Sequence, residues 1–308
     1  MTAPSSLPNP LPAPGYSSAS ALLAHLRSCA ASLVPAERRV AQVLIERAAD
    51  VPGFSAADVA ELAGCSTATV VRACQRLGFP GFQRLRSDLT RLSAGLAELG
   101  KAEPGGVDVG TDAMAGDSLL GRVFAAARAE LDATEALLDR AAFARAVQLV
   151  AAARKVLLLG TGGSAIPAQD AALRFTMGGL AATAPADVLA QLFTARLLGP
   201  NDVCVAVSFS GANRHTLAAA DAARTAGARI VAVTSAALSP LSRLADVALV
   251  TGAVTAESEV LASRITHTLV LNALNLAVQQ AAGQPSFGPS AALAGLLAEV
   301  LGSPETTP

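Results

Sequence analysis

Ser208 and Ser210, followed by Gly211 and Asn213, stand in the segment SFSGANRHT (208–216), between the apolar run VCVAV and a stretch with helical spacing. Two serines one residue apart on extended chain face the same side, and a glycine beside them lets a ligand come close to the backbone. Asn213 is placed to cap the next helix, whose N-terminal N–H groups and dipole favour an anion. Hydroxyls and amides with no lysine nearby suit a phosphate ester held by hydrogen bonds. A nucleophilic role is poorly supported, because GxSxG is absent around either serine and no base is placed by sequence. No residue is therefore assigned as catalytic.

A second Gly-rich loop, GTGGSA (160–165), matches the dinucleotide pattern GxGxxA, with the acid Asp187 about twenty residues later. In a nucleotide-binding unit that acid closes a strand, whereas Asp187 opens ADVLAQLF, which has helical character. The expectation is thus no cofactor, with Gly163 and Ser164 brought close to a ligand by a turn rich in backbone N–H groups. A third loop carries Thr234 and Ser235. Further on, Glu259 precedes the last long helical stretch, where it is either an acceptor for sugar hydroxyls or a plain helix N-terminal acid.

These loops need strands to hold them. VLLLG (156–160), VCVAV (203–207), IVAVT (230–234) and VALVT (247–251) are short aliphatic runs separated by segments of helical spacing. Buried runs alternating with helices indicate a doubly wound α/β domain with a parallel sheet. Ligands in such folds bind beyond the carboxyl ends of the strands, at a topological switch point. The long helical stretch ahead of the sheet, 118–153, is expected to break near Asp139.

The N-terminal third has a different, all-α character. SAADVAELAG starts at Ser55 with Asp58 three residues on, a variant capping box, and stops at Gly64. STATVVRACQRLGF follows at once, with Ser66 as N-cap and Val70, Val71, Cys74 and Leu77 expected inside. Two short helices joined by a tight Gly turn form a helix-turn-helix, and the second would enter a DNA major groove. Its outward side is read as Thr67, Thr69, Arg72, Gln75 and Arg76, and these with Ser66 are the candidate DNA contacts. Arg84, Arg86 and Arg91, set against the single acid Asp88, extend a local basic patch that a net charge of −1 conceals.

The 308 residues are 52% hydrophobic, enough for two cored domains. No apolar run approaches the roughly 20 residues needed to cross a bilayer, and the Pro- and Ser-rich start is unlike a signal peptide, so a cytoplasmic protein without membrane contact is expected. Cys29, Cys65, Cys74 and Cys204 are dispersed, as are the three histidines, and no metal site is expected. Composition divides the chain into a tail (1–20), a helix-turn-helix domain (21–95), a Gly-rich linker (96–117), the α/β domain (118–281) and a C-terminal helix and tail (282–308).

In combination, VPAERRVAQVLIERA, SAADVAELAGCSTATVVRACQRLGFPGFQRLR, VLLLGTGGSAIPAQDAALRF, LLGPNDVCVAVSFSGANRHTLAAADAARTAGARIVAVT and SPLSRLADVALV with LASRI resemble the RpiR/MurR family of bacterial transcriptional regulators. The resemblance runs from about Leu22 to Gln279. It implies an all-α helix-turn-helix DNA-binding domain followed by an α/β doubly wound parallel-sheet SIS (sugar isomerase) domain that senses a phosphorylated sugar and modulates operator binding. On the family pattern SxSG falls on Ser208, Ser210 and Gly211, the first-loop serine on Ser164, and Asn213 stands where Thr is usual. Glu259 lies where related SIS enzymes often have a substrate-facing acid. A homodimer or homotetramer is expected, since paired half-sites need paired recognition helices. Two alternatives stay open: a sugar-phosphate isomerase using Glu259 with His267 as partner, and an NAD-sensing repressor.

Overall fold

The computed structural model describes residues 16, 18–30, 32–92, 115–252, 263–283, 290 and 293–296. Glu259, most of the linker and most of both tails lie outside them. The chain divides into two compact units, Met1–Ala125 and Ala126–Pro308.

The first unit is helical: α1 (Ala19–Ala30), α2 (Pro35–Glu46), α3 (Ala56–Leu62), α4 (Thr67–Arg76) and α5 (Phe82–Arg91). The caps follow the sequence closely. Pro35 opens α2 in its first turn, where its missing N–H costs nothing. Ser55 and Asp58 close a reciprocal capping box at α3, and Ser66 caps α4 by accepting from the Thr69 N–H. Both α3 and α4 end in the same way. Gly64 and Gly78 take positive φ (58° and 90°), and the next N–H groups, of Cys65 and Phe79, reach back to the Ala60 and Cys74 carbonyls at 2.9 Å. This two-bond stop satisfies the last helical carbonyls and turns the chain sharply. Beneath it Tyr16, His25 and Phe79 cluster, with ring centroids 5.4–6.2 Å apart, and His25 Nε2 lies 2.8 Å from the Leu77 carbonyl at the end of α4.

After α6 (Ala115–Leu137) and α7 (Arg140–Ala151), which Asp139 separates by capping α7, the second unit alternates strand and helix. The order is β1 (Val156–Leu159), α8 (Ala165–Met177), β2 (Ala182–Thr183), α9 (Val188–Arg196), β3 (Val203–Val207), α10 (Arg214–Thr225), β4 (Arg229–Thr234), α11 (Pro240–Leu244), β5 (Val247–Val250) and α12 (Ser263–Ala281). All five strands are parallel, in the order β2-β1-β3-β4-β5. β2 has only two residues and carries no apolar period, so the aliphatic runs of the sequence mark only the other four strands.

Alternate residues of each strand serve two cores. Val156, Leu158, Val203, Val205 and Val231 face α7, α8 and α12. Leu157, Leu159, Cys204, Ala206 and Ile230 face α10 and α11, with Ala195 of α9. The helix after β1 therefore lies on one face and the helix after β3 on the other. Between these neighbouring strands the topology reverses, which opens a crevice at their carboxyl ends.

Candidate effector crevice and nucleic-acid interface

Both Gly-rich turns singled out in the sequence flank that crevice. The β1 turn runs through Gly160 into a short 3-10 segment, Gly162–Ser164, before α8. A Cβ on Gly160 would run into the Ser164 backbone carbonyl, and Gly162 sits at φ +56°, so both positions need glycine. Buried Gln191 braces the turn from α9, its amide donating to the Gly160 carbonyl at 2.9 Å. Ser164 is half-exposed at the start of α8, and its hydroxyl makes no capping bond.

The β3 turn is tied down more firmly. The Ser208 N–H donates to the Val233 carbonyl, and the Phe209 carbonyl accepts from the Ser235 N–H at 3.0 Å and from Thr234 Oγ1 at 3.1 Å. Gly211 has φ +60°, and a Cβ there would collide with Ser239 and stand 2.9 Å from Thr234 Oγ1. Ser208 is buried, Ser210 is exposed, and Ser210 Oγ accepts from the Ala212 N–H at 3.3 Å. Asn213 caps α10 as expected, its Oδ1 accepting from the His215 and Thr216 N–H groups at 3.0 and 3.2 Å. With the oxygen so engaged, the amide presents only donors to solvent.

Thr234 and Ser235 are struts rather than crevice-lining groups. Ser235 Oγ lies 2.9 Å from Thr251 Oγ1 and 3.2 Å from His267 Nε2, and the Thr251 carbonyl accepts from Thr134 on α6 at 2.9 Å. His267 is 1% exposed, and burial pushes its pKa down to about 4. That position is inaccessible to a substrate, contrary to its expected place beside Glu259 in an isomerase. Asp187 accepts from the Leu189 and Ala190 N–H groups as the cap of α9, which disposes of it as the ribose-binding acid of a dinucleotide site. Among the described residues no His, Cys, Asp and Glu group could hold a metal ion. Nor is any described helix long and apolar enough to cross a membrane.

In the helical unit, Ser66, Thr67, Ala68, Val71, Arg72, Gln75 and Arg76 are exposed along α4. Two placements differ from expectation. Val71, expected inside, is 39% exposed, whereas Thr69, expected outside, is 8% exposed. The buried stripe is Val70, Ala73, Cys74 and Leu77, the i, i+3, i+4, i+7 face, and Val71 lies off it. The Thr69 hydroxyl is used locally, 3.0 Å from Ser66 Oγ and accepting from Arg72 at 3.2 Å. Arg76 is drawn back against the fold, its Nε 3.2 Å from a carboxylate oxygen of Glu37, which is 5% exposed. The contact is close but not aligned as a hydrogen bond, so it is an ion pair alone. The α5 arginines are also engaged: Arg84 and Arg91 with buried Asp88 at 3.1 and 3.5 Å, Arg86 with the Phe54 carbonyl at 3.3 Å.

The models of known families agree with this architecture. Residues 20–95 match the helix-turn-helix domain of the rpiR family, and residues 149–278 match the SIS domain. The HTH-type transcriptional regulator HexR of Pseudomonas aeruginosa is 34% identical over 74% of this chain and 78% of its own. The chain belongs to the RpiR family of helix-turn-helix transcriptional regulators. An uncharacterized HTH-type transcriptional regulator of Caldanaerobacter subterraneus subsp. tengcongensis is similar to this RpiR-family chain over 84% of its length and 90% of the relative's, at 29% identity. The solved structure of Vibrio vulnificus NanR complexed with ManNAc-6P superposes with a TM-score of 0.51 at 27% identity, covering 84% of the RpiR-family chain and 92% of NanR.

Proposed function

We propose that this regulator binds operator DNA through α4 and takes a phosphorylated sugar in the crevice between the β1 and β3 turns, and that occupancy of the crevice changes operator affinity. The observation that carries the reading is the placement of the two turns on either side of the switch point. Two glycine-built turns at the switch point present Ser164, Ser208, Ser210 and the Asn213 amide beside the N-termini of α8 and α10. Neutral donors and two helix dipoles converging on one gap suit a phosphate ester. Support comes from NanR, a relative whose solved structure holds ManNAc-6P.

On the DNA side, Thr67, Val71, Arg72 and Gln75 reach base edges and phosphates, with Ser66 at the helix start. Arg76 and Thr69 act through the fold, as ion pair and cap. A second copy completes the assembly: Ile166 and Leu173 of α8 and Ile265 and Leu269 of α12 leave exposed apolar side chains on two helices that pack together, and paired half-sites require two recognition helices. The domain acts as a sensor and not as an enzyme, with Gly163, Ser164, Ser208, Ser210, Gly211, Asn213 and Glu259 as its ligand set.

The reading is tested by operator binding to DNA from upstream of the protein's own coding region, titrated with salt and with sugar phosphates. Salt-sensitive binding, shifted at least several-fold by a phosphosugar in the wild type and unshifted in Ser208→Ala, is the expected result. Binding that ignores every phosphosugar would refute the sensor half. Absence of salt-sensitive binding would refute the DNA half.

A further inference from the structure

The β1 and β3 turns offer a phosphate only neutral donors and partial charges, while a phosphate monoester carries nearly two negative charges near neutral pH. A full cation stands at the rim of the crevice. Arg264 belongs to α12, and its guanidinium covers Gly163: a Cβ built there would sit 3.1 Å from both Nε and one terminal nitrogen. With no side chain at Gly163 the guanidinium lies close over the β1 turn, and a methyl there would press it back by a few tenths of an ångström. Among the described residues Arg264 is exposed and has no ion-pair or hydrogen-bond partner. Six other arginines in this unit do have acidic or carbonyl partners, Arg154 with Asp202 and Arg229 with Asp246 among them.

A guanidinium held over the β1 turn has a planar fork of donors ready for two oxygens of a phosphate. Arg214, in the first turn of α10, is a second cation, but among the described residues no contact places its head group over either turn.

We propose that Arg264 is the cationic ligand of the effector's phosphate, laid across Gly163 so that the crevice discriminates a phosphorylated sugar from its neutral parent. This rests on the phosphosugar reading above and deepens it. Gly163 then has a role distinct from that of Gly160 and Gly162: it is small to admit a side chain from another helix.

The experiment uses the full chain and a panel of hexose 6-phosphates and N-acetylhexosamine 6-phosphates, each with its unphosphorylated parent, in calorimetric titrations and thermal shift. The expected result is binding of at least one phosphosugar by the wild type, weakened at least about tenfold in Arg264→Ala, less in Arg264→Lys, and little in Arg214→Ala. The loss should be accompanied by a flatter salt dependence and by an unchanged melting temperature without ligand. Gly163→Ala should weaken binding in the wild-type background but add nothing to Arg264→Ala, the non-additivity expected of two positions acting through one contact. Affinity within about twofold of wild type in Arg264→Ala, or a loss that falls on Arg214→Ala instead, overturns the assignment while leaving the phosphosugar reading standing. If no phosphosugar binds the wild type, both are overturned.

Discussion

Replacing His267 by glutamine should flatten the acid limb of the protein's stability. The imidazole is buried against Phe209 and Ser235, whose hydroxyl also meets Thr251, with only neutral groups at these contacts, and burial holds its pKa down at about 4. In the unfolded chain the ordinary value of about 6.5 returns. Between those two values the unfolded chain takes up a proton that the folded domain refuses. The stability is therefore complete above about pH 6.5 and is lost as the pH falls toward 4. The linkage amounts to about 2 kcal/mol at pH 5 and about 3 kcal/mol at pH 4. Urea unfolding followed by far-ultraviolet circular dichroism at pH 7 and pH 5 measures it, with carboxylates and His25 common to both proteins. The wild type should lose about 2 kcal/mol more than His267→Gln over that interval. Equal losses would refute the argument, as would a ring proton resonance of His267 that titrates near pH 6.5.

The glycine and arginine geometries give further expectations. Gly211→Ala combines a positive φ with a collision at Ser239 and should destabilise the α/β unit by more than about 2 kcal/mol in urea unfolding, removing the effector response with it. Arg72→Ala should weaken operator binding and reduce the salt slope by about one without changing the melting temperature. Arg76→Ala should lower the melting temperature of the helical unit, because it strands the Glu37 carboxylate, so its binding defect should recover where folding is restored by cooling. Val71→Ala should relax preference at one base pair, with loss of discrimination between thymine and uracil if the side chain meets a 5-methyl group.

Local chemistry was legible in the sequence, and chemistry between distant residues was not. Ser55 with Asp58, Ser66, Gly64 and Asp139 announced helix ends because each cap is satisfied within three residues. The four long strands announced themselves as aliphatic runs, whereas β2, two residues long, offered no period to read. Val70 and Val71 are chemically alike and adjacent, and only the helical packing of Ala73, Cys74 and Leu77 decides which is buried. Glu37 and Arg76 are paired across two helices, so nothing in STATVVRACQRLGF distinguished Arg76 from Arg72. Arg264 meets Gly163 across about a hundred residues, through the packing of α12 on α8. Its pattern, a lone arginine in LASRI, carries no trace of that neighbour.

The aromatic cluster under α4 makes this molecule optically one-sided. The chain has a single tyrosine and no tryptophan, and that phenol, Tyr16, is packed beside His25 and Phe79 in the helical unit. Its backbone carbonyl also accepts from Arg91 at 3.1 Å. Tyrosine fluorescence from this protein is consequently a signal from the helix-turn-helix half alone, while circular dichroism sums both halves. An effector that alters tyrosine emission without touching that unit would report, with no label attached, that news of the crevice has arrived at the other end of the chain.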